Sequence, residues 1–393
     1  MKLKIVSFLI AIVSAVQVIM PLNAKADGGN YISADTVSIE KMLEEIPADE
    51  IIVTECHTGK ILFEKNSVQE REISHLTKLM TLLIAAEKLE SGEISLDDKV
   101  TVSANANSME GSQIWLDKGE KIRLEELIKS ISIGNANDAC VALAEHISGS
   151  EKDFTDEMNS KAKLLDMAGT HFADCTGMSD QSRSNAADMA LLAAEIVKYK
   201  SLAGYLTVWR DFVRDGKAEL VSQNRLVRTY NGITGMKACS SRSAGECSVV
   251  TAEKNGMCIC VVILGCESSE ARESASKKLL DMSFDAFQIY SPEIAKDMLK
   301  DIPVTGGEYH KIKVEFGTIT PVIIPRGSYN LVEVRFEKKE EIAAPVKKNE
   351  TVGKLSCVLN NETILKTELR SAESVKKMNF KFGFLKLLYN LIG

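Results

Sequence analysis

An excess of positive charge is missing from this chain. Its 48 lysines and arginines face 55 aspartates and glutamates, for a net charge of -7. That removes the electrostatic footprint of a nucleic-acid-binding protein, so no nucleic acid partner is expected. Histidine is scarce, at five residues. His57 falls in a turn, His146 and His171 have no second candidate ligand nearby in sequence, and His310 reads as a surface residue. The nine cysteines (Cys56, Cys140, Cys175, Cys239, Cys247, Cys258, Cys260, Cys266 and Cys357) match no zinc spacing. Neither a metal nor a cofactor is expected. An odd number cannot all pair, and several lie in apolar strand-like runs where buried free thiols are the simplest explanation, so no obligatory disulfide framework is expected.

What is present describes an ordinary globular protein. At 393 residues and 45% apolar content the chain is long enough for two domains. Lys2 and Lys4 precede an apolar run from Ile5 to Met20, and Ala24-Lys25-Ala26 offers a small-x-small cleavage site. Residues 1–26 therefore read as a secretory signal peptide, with an uncleaved membrane anchor as the alternative, although the run is short for a spanning helix. Both readings place the mature chain outside the cytoplasm. Residues 27–48 form a polar leader. Ile51 to Cys56 and Ile61 to Glu64 then flank a turn containing Gly59, the pattern of a β-hairpin.

The following stretch runs from Ser74-His75-Leu76-Thr77-Lys78 to Leu89. Leu76, Leu79, Met80 and Leu83 recur at helical spacing, and Leu82 to Ala86 is apolar all round, as in a buried helix ending near Gly92. Lys78 sits in its first turn. A buried ammonium is costly without partners, so Lys78 is either a paired structural charge or a tuned catalytic amine.

This segment resembles the first motif of the serine-type D-alanyl-D-alanine carboxypeptidases, the low-molecular-weight penicillin-binding proteins. In that motif a nucleophilic serine stands three residues before a lysine. Here His75 holds the serine's place, and Ser74 lies one residue early, about 100° around a helix. Asn135-Ala136-Asn137 resembles the second motif, serine-x-asparagine. An amide at Asn135 cannot relay a proton as the family's serine is thought to do. Asn137 keeps the motif's asparagine; the resemblance implies a hold on the lysine or a substrate amide, and an ordinary helix cap is the alternative. Gly235-Met236-Lys237-Ala238-Cys239 is similar to the third motif, a lysine-threonine-glycine strand. Lys237 would receive the substrate's terminal carboxylate, while Ala238 and Cys239 replace threonine and glycine. Lys237 and Cys239 are two apart, so on a strand both face the cleft and the cysteine reduces the space for a bound peptide. Cys239 and His75 are expected to approach one another there.

Around these motifs, Gly119 to Ile128 with Ile131 reads as an amphipathic helix, Ser148 to Leu202 as largely helical, and Thr170 to Met178 as a turn similar to one in the family. Cys247 to Ala252 and Met257 to Gly265 form a hairpin around Lys254-Asn255-Gly256. Beyond Phe284 to Pro292 the text becomes short β-rich runs: His310 to Phe316, Val322 to Ile324, Leu331 to Phe336 and Leu355 to Leu359. From Val375 to Gly393, phenylalanines and leucines interleave with lysines. That pattern suits lying in a membrane surface, with a helix packed on the β domain as the alternative.

The expected fold is therefore α/β: a penicillin-binding-protein/β-lactamase-like domain (antiparallel sheet plus helical lobe) at 49–288, a small β-sandwich-like domain at 289–372 and an amphipathic tail at 373–393. The resemblance implies action on the D-Ala-D-Ala end of peptidoglycan stem peptides, at the outer face of the cytoplasmic membrane or in the wall. Because all three motifs are altered, a catalytically inactive member is expected. The alternative is an active carboxypeptidase using Ser74, whose ordinary role at a helix start would be an N-cap.

Overall fold

The computed structural model describes residues 41–294, 299–380 and 384. The signal peptide, most of the leader, and 381–383 and 385–393 of the tail lie outside the described residues. No described helix is long and apolar enough to cross a membrane.

Strand β1 (Glu50–Glu55) is buried along its whole length. Its consecutive Ile51, Ile52 and Val53 serve two cores, Ile52 facing one hydrophobic cluster and its neighbours the other. This explains why the run is apolar without alternation. It pairs antiparallel with β2 (Ile61–Lys65). The Glu55 carboxylate ties the turn by accepting from the backbone of His57 (3.1 Å) and Thr58 (2.8 Å) and from the Thr58 hydroxyl (2.7 Å).

A 3₁₀ turn (Ser74–Thr77) leads into α1 (Lys78–Ser91), whose residues from Lys78 to Ala86 are all buried. Gly92 ends it in the left-handed conformation at φ 76°, where a glycine is favoured. The helix expected from Gly119 begins later. Lys121–Arg123 is a short strand pairing with Lys99–Thr101, Ile122 opposite Val100, and only then does α2 (Leu124–Ser132) start. Burial in Lys121-Ile122-Arg123 alternates with period two, a signal too short to stand out beside the helical spacing that follows. Helix α3 (Asn137–Ser148) comes next. The span expected to be largely helical contains helices Glu151–Leu164, α4 (Ala186–Ile196) and Lys200–Leu206, separated by the turn region.

Strands β3 (Ile233–Ser241), β4 (Gly245–Lys254) and β5 (Met257–Cys266) complete an antiparallel five-stranded sheet of order β2-β1-β5-β4-β3. β3 is thus an edge strand. The helical lobe covers one face, and α5 (Ser269–Ala286) packs on the other. All nine cysteines are free and buried.

The C-terminal part is all β. Its largest sheet has the order Val314–Phe316, Glu362–Ser371, Thr351–Leu359, Glu333–Lys338. The sequence reading missed Glu362–Ser371. Its signal was the Asn360-Asn361 pair: both residues adopt positive φ, 50° and 68°, as a two-residue hairpin loop requires.

Candidate functional site

Lys78 opens α1 with its side chain completely buried. Its Nζ donates to Asn137 Oδ1 at 2.7 Å and to the Thr176 carbonyl at 2.5 Å, and lies 3.0 Å from His75 Nδ1. An ammonium has three hydrogens and no lone pair, so these three acceptors use it completely. His75 Nδ1 also stands 3.1 Å from the Thr176 carbonyl, so one tautomer lets Nδ1 accept from Lys78 and the other lets it donate to Thr176; an ammonium at Lys78 favours the first, with the ring hydrogen on Nε2. Burial first, and the Lys78 charge second, pull His75 down to about 4. The imidazole is neutral at physiological pH. Burial also lowers Lys78 from the ordinary lysine value.

The turn that presents Thr176 is built by Asp174. Its Oδ1 accepts from Thr176 N (2.7 Å), the Thr176 hydroxyl (3.0 Å) and Gly177 N, and its Oδ2 from Ser179 N (2.6 Å). Gly177 has φ +75°, and a Cβ there would stand 2.0 Å from the Ser74 carbonyl oxygen. No other residue permits that approach. The sequence reading took this stretch only as a turn similar to one in the family and so missed Asp174 and Thr176. An Asp three residues before a Gly was the available signal.

The other two motif segments join each other. Asn135, at φ 57°, takes the left-handed conformation that asparagine tolerates. Its Oδ1 accepts from Lys237 Nζ at 2.5 Å, and its Nδ2 donates to the Ala238 carbonyl at 3.4 Å. Lys237 Nζ also donates to the carbonyls of Ile131 (2.7 Å) and Ser132 (3.2 Å). This second ammonium, only 2% exposed, is saturated as well. Burial, then the charge of Lys78, bring Lys237 down to about 7.

Asn137 is not a helix cap. Ala136 holds the cap position of α3, while the Asn137 side chain reaches Lys78 and donates from Nδ2 to the Glu110 carbonyl at 2.7 Å. The buried Asp138 beside it accepts from the backbone of Ile114 and Leu116, each at 3.1 Å, fastening the loop along the site. Ser74 is not a cap either. No side chain caps the 3₁₀ turn, and Ser74 itself is 2% exposed with φ 48°. Cys239 lies on the Lys237 face of β3, its Sγ 3.9 Å from the Ile73 carbonyl. The hydrogen-bonding contacts of His75 run to Lys78 and Thr176. Burial pushes the Cys239 thiol up to about 11, which leaves it unreactive at neutral pH. Ala238 turns to the opposite face and lines a small cavity against α5.

Residues 35–268 match the family described as D-alanyl-D-alanine carboxypeptidase, and residues 284–377 match the C-terminal domain of penicillin-binding protein 5. This chain belongs to the D-alanyl-D-alanine carboxypeptidase family. The D-alanyl-D-alanine carboxypeptidase DacF of Bacillus subtilis is 33% identical over 344 residues, 86% of this chain and 88% of that protein. DacA of Escherichia coli is 27% identical over 91% of this chain and 92% of its own length. Among solved structures, penicillin binding protein 5 from Haemophilus influenzae superposes with a TM-score of 0.76 at 27% identity, covering 85% of this chain and 98% of that one.

Within this carboxypeptidase fold, the three segments singled out by sequence converge. Lys78, Asn137 and His75 meet at the start of α1, and Asn135 clasps Lys237 across to β3. A family nucleophile needs a hydroxyl beside the lysine. The group beside Lys78 here is the imidazole of His75, which carries no hydroxyl.

Proposed function

We propose that this protein is a non-acylating member of its family, which keeps the carboxypeptidase scaffold as a recognition module for the D-Ala-D-Ala end of peptidoglycan stem peptides. The observation that carries the reading is the 3.0 Å contact between His75 Nδ1 and Lys78 Nζ. With Nδ1 occupied and the hydrogen on Nε2, the imidazole faces a substrate carbonyl as a donor rather than as a nucleophile. Ser74 gains nothing from this arrangement, because the three contacts of Lys78 go to His75, Asn137 and Thr176. Acyl transfer through Ser74 would lack its base.

Recognition is correspondingly weak. A substrate carboxylate must displace Asn135 Oδ1 or a backbone carbonyl from Lys237 before it can pair with the ammonium. The module acts outside the cytoplasm, reaching the membrane surface or wall through the signal at 1–26 and the tail at 373–393, with the catalytic-type domain at 49–288 and the β-sandwich-like domain at 289–372. The test is D-alanine release from a D-Ala-D-Ala stem peptide, run beside calorimetric binding of the same peptide. No release, with saturable weak binding, is expected. Sustained release abolished by Ser74→Ala would overturn the reading.

A further inference from the structure

Behind β3, on the face away from Lys78, Ala238 and Ser248 stand opposite one another across the β3–β4 ladder. Together with Asn224, Val250, Arg272 and Ser276 they line a cavity of about 10 Å³. Asn224 is 3% and Ser248 1% exposed, yet Asn224 Nδ2 and Ser248 Oγ have no hydrogen-bond partner in the protein. Two orphaned polar atoms on one cavity are costly, since each buried unmade bond forfeits about 1–3 kcal/mol. The remaining polar groups around them are engaged. Asn224 Oδ1 accepts from Leu226 N at 3.2 Å, and the Ser276 hydroxyl donates to the Arg272 carbonyl at 2.8 Å, which leaves Ser276 Oγ its lone pairs.

We propose that this cavity is a binding site for one ordered water, which accepts from Asn224 Nδ2 and bridges to Ser248 Oγ on the back of the third-motif strand. The size fits, because about 10–15 Å³ of this kind of volume holds one water. So does the chemistry, which supplies a donor, a hydroxyl able to donate or accept, and the Ser276 lone pairs. An anion is disfavoured. The Arg272 guanidinium is already paired with Glu246, and the Glu273 carboxylate also borders the cavity. The site exists because residue 238 is alanine. A hydroxyl carried at 238, opposite Ser248 on the ladder and lining the same cavity, is expected to take the water's place.

A high-resolution crystal structure with a parallel bromide soak tests the ligand. Density within hydrogen-bonding distance of both Asn224 Nδ2 and Ser248 Oγ, without bromide anomalous signal, is expected. A dry cavity or a bromide peak would overturn the proposal. An isosteric pair tests the energetics independently of any strain from added volume. Ala238→Thr is expected to unfold about 4 °C above Ala238→Val, since only the threonine replaces the water's bonds. A valine variant equal to or more stable than the threonine variant would mark the cavity as an apolar gap and refute the water site.

Discussion

On the helical side of β3, Lys237 and Cys239 sit where every ammonium hydrogen has an acceptor; on the side facing α5, Ala238 leaves Asn224 Nδ2 and Ser248 Oγ with none. The two faces carry alternate residues of one altered motif. On the front, His75, Asn135 and Cys239 are each larger than the small residue of the family motif; His75 and Asn135 bond the two ammonium groups, and Cys239 packs against the Ile73 carbonyl. On the back, the family's threonine has become a smaller residue and no protein group bonds Asn224 Nδ2 or Ser248 Oγ, which leaves them to the proposed water. Buried charge enforces repair more strictly than a buried hydroxyl does, because an unpaired ammonium costs several times more than an unmade neutral bond.

The sharpest way to break that comparison is to restore both faces. His75→Ser alone is expected to remain at background in penicillin acylation, because on the proposed reading Asn135 would still lack a relay hydroxyl and Cys239 would still crowd the cleft. Adding Asn135→Ser, Ala238→Thr and Cys239→Gly is expected to raise acylation by at least about a hundredfold, the scale of a positioned proton-transfer group. Substantial acylation in the single variant, read by gel fluorescence, would show that the changes are not coupled.

Next in size is the front network itself. Lys78→Met strands Asn137 Oδ1 and the Thr176 carbonyl, and a loss of about 3 kcal/mol in urea unfolding is expected. Asn135→Ala is expected to cost about 2 kcal/mol, part of it from the left-handed backbone. Asn135→Gly separates the parts, since glycine accepts that conformation without penalty. If Gly restores full stability, the Lys237 clasp contributes nothing.

The alternation of β3, the convergence of the three segments and the apolar runs of β1 and α1 were legible in the sequence, because each rests on local periodicity or on motif order. The partners were less so. Thr176 contributes a carbonyl, which any residue has, and its aim at Lys78 depends on a turn folded by Asp174. The saturation of Lys237 by the carbonyls of Ile131 and Ser132 depends on how α2 packs against β3. Such contacts leave no side-chain signature. The two-residue Asn360-Asn361 loop did leave one, and reading it as a hairpin would have revealed the missed strand.

A smaller effect comes from pH. His75 has a folded value of about 4 against 6.5 for the free side chain, so between these values the unfolded chain binds more protons. Stability attributable to His75 is therefore fully present above pH 6.5 and lost as pH falls towards 4. The ceiling is about 3 kcal/mol, lowered by solvent screening of the half-buried ring. His75→Gln should flatten this part of the stability profile. An unchanged slope would place the titration elsewhere.

The proposal that the group in the nucleophile's place is not acylated is met most directly by intact-protein mass spectrometry after prolonged incubation of the folded wild-type protein with a fluorescent penicillin. An unshifted mass is expected, with no labelled peptide spanning Ser74 to Lys78. A stoichiometric covalent adduct mapped to Ser74 or His75 would contradict it.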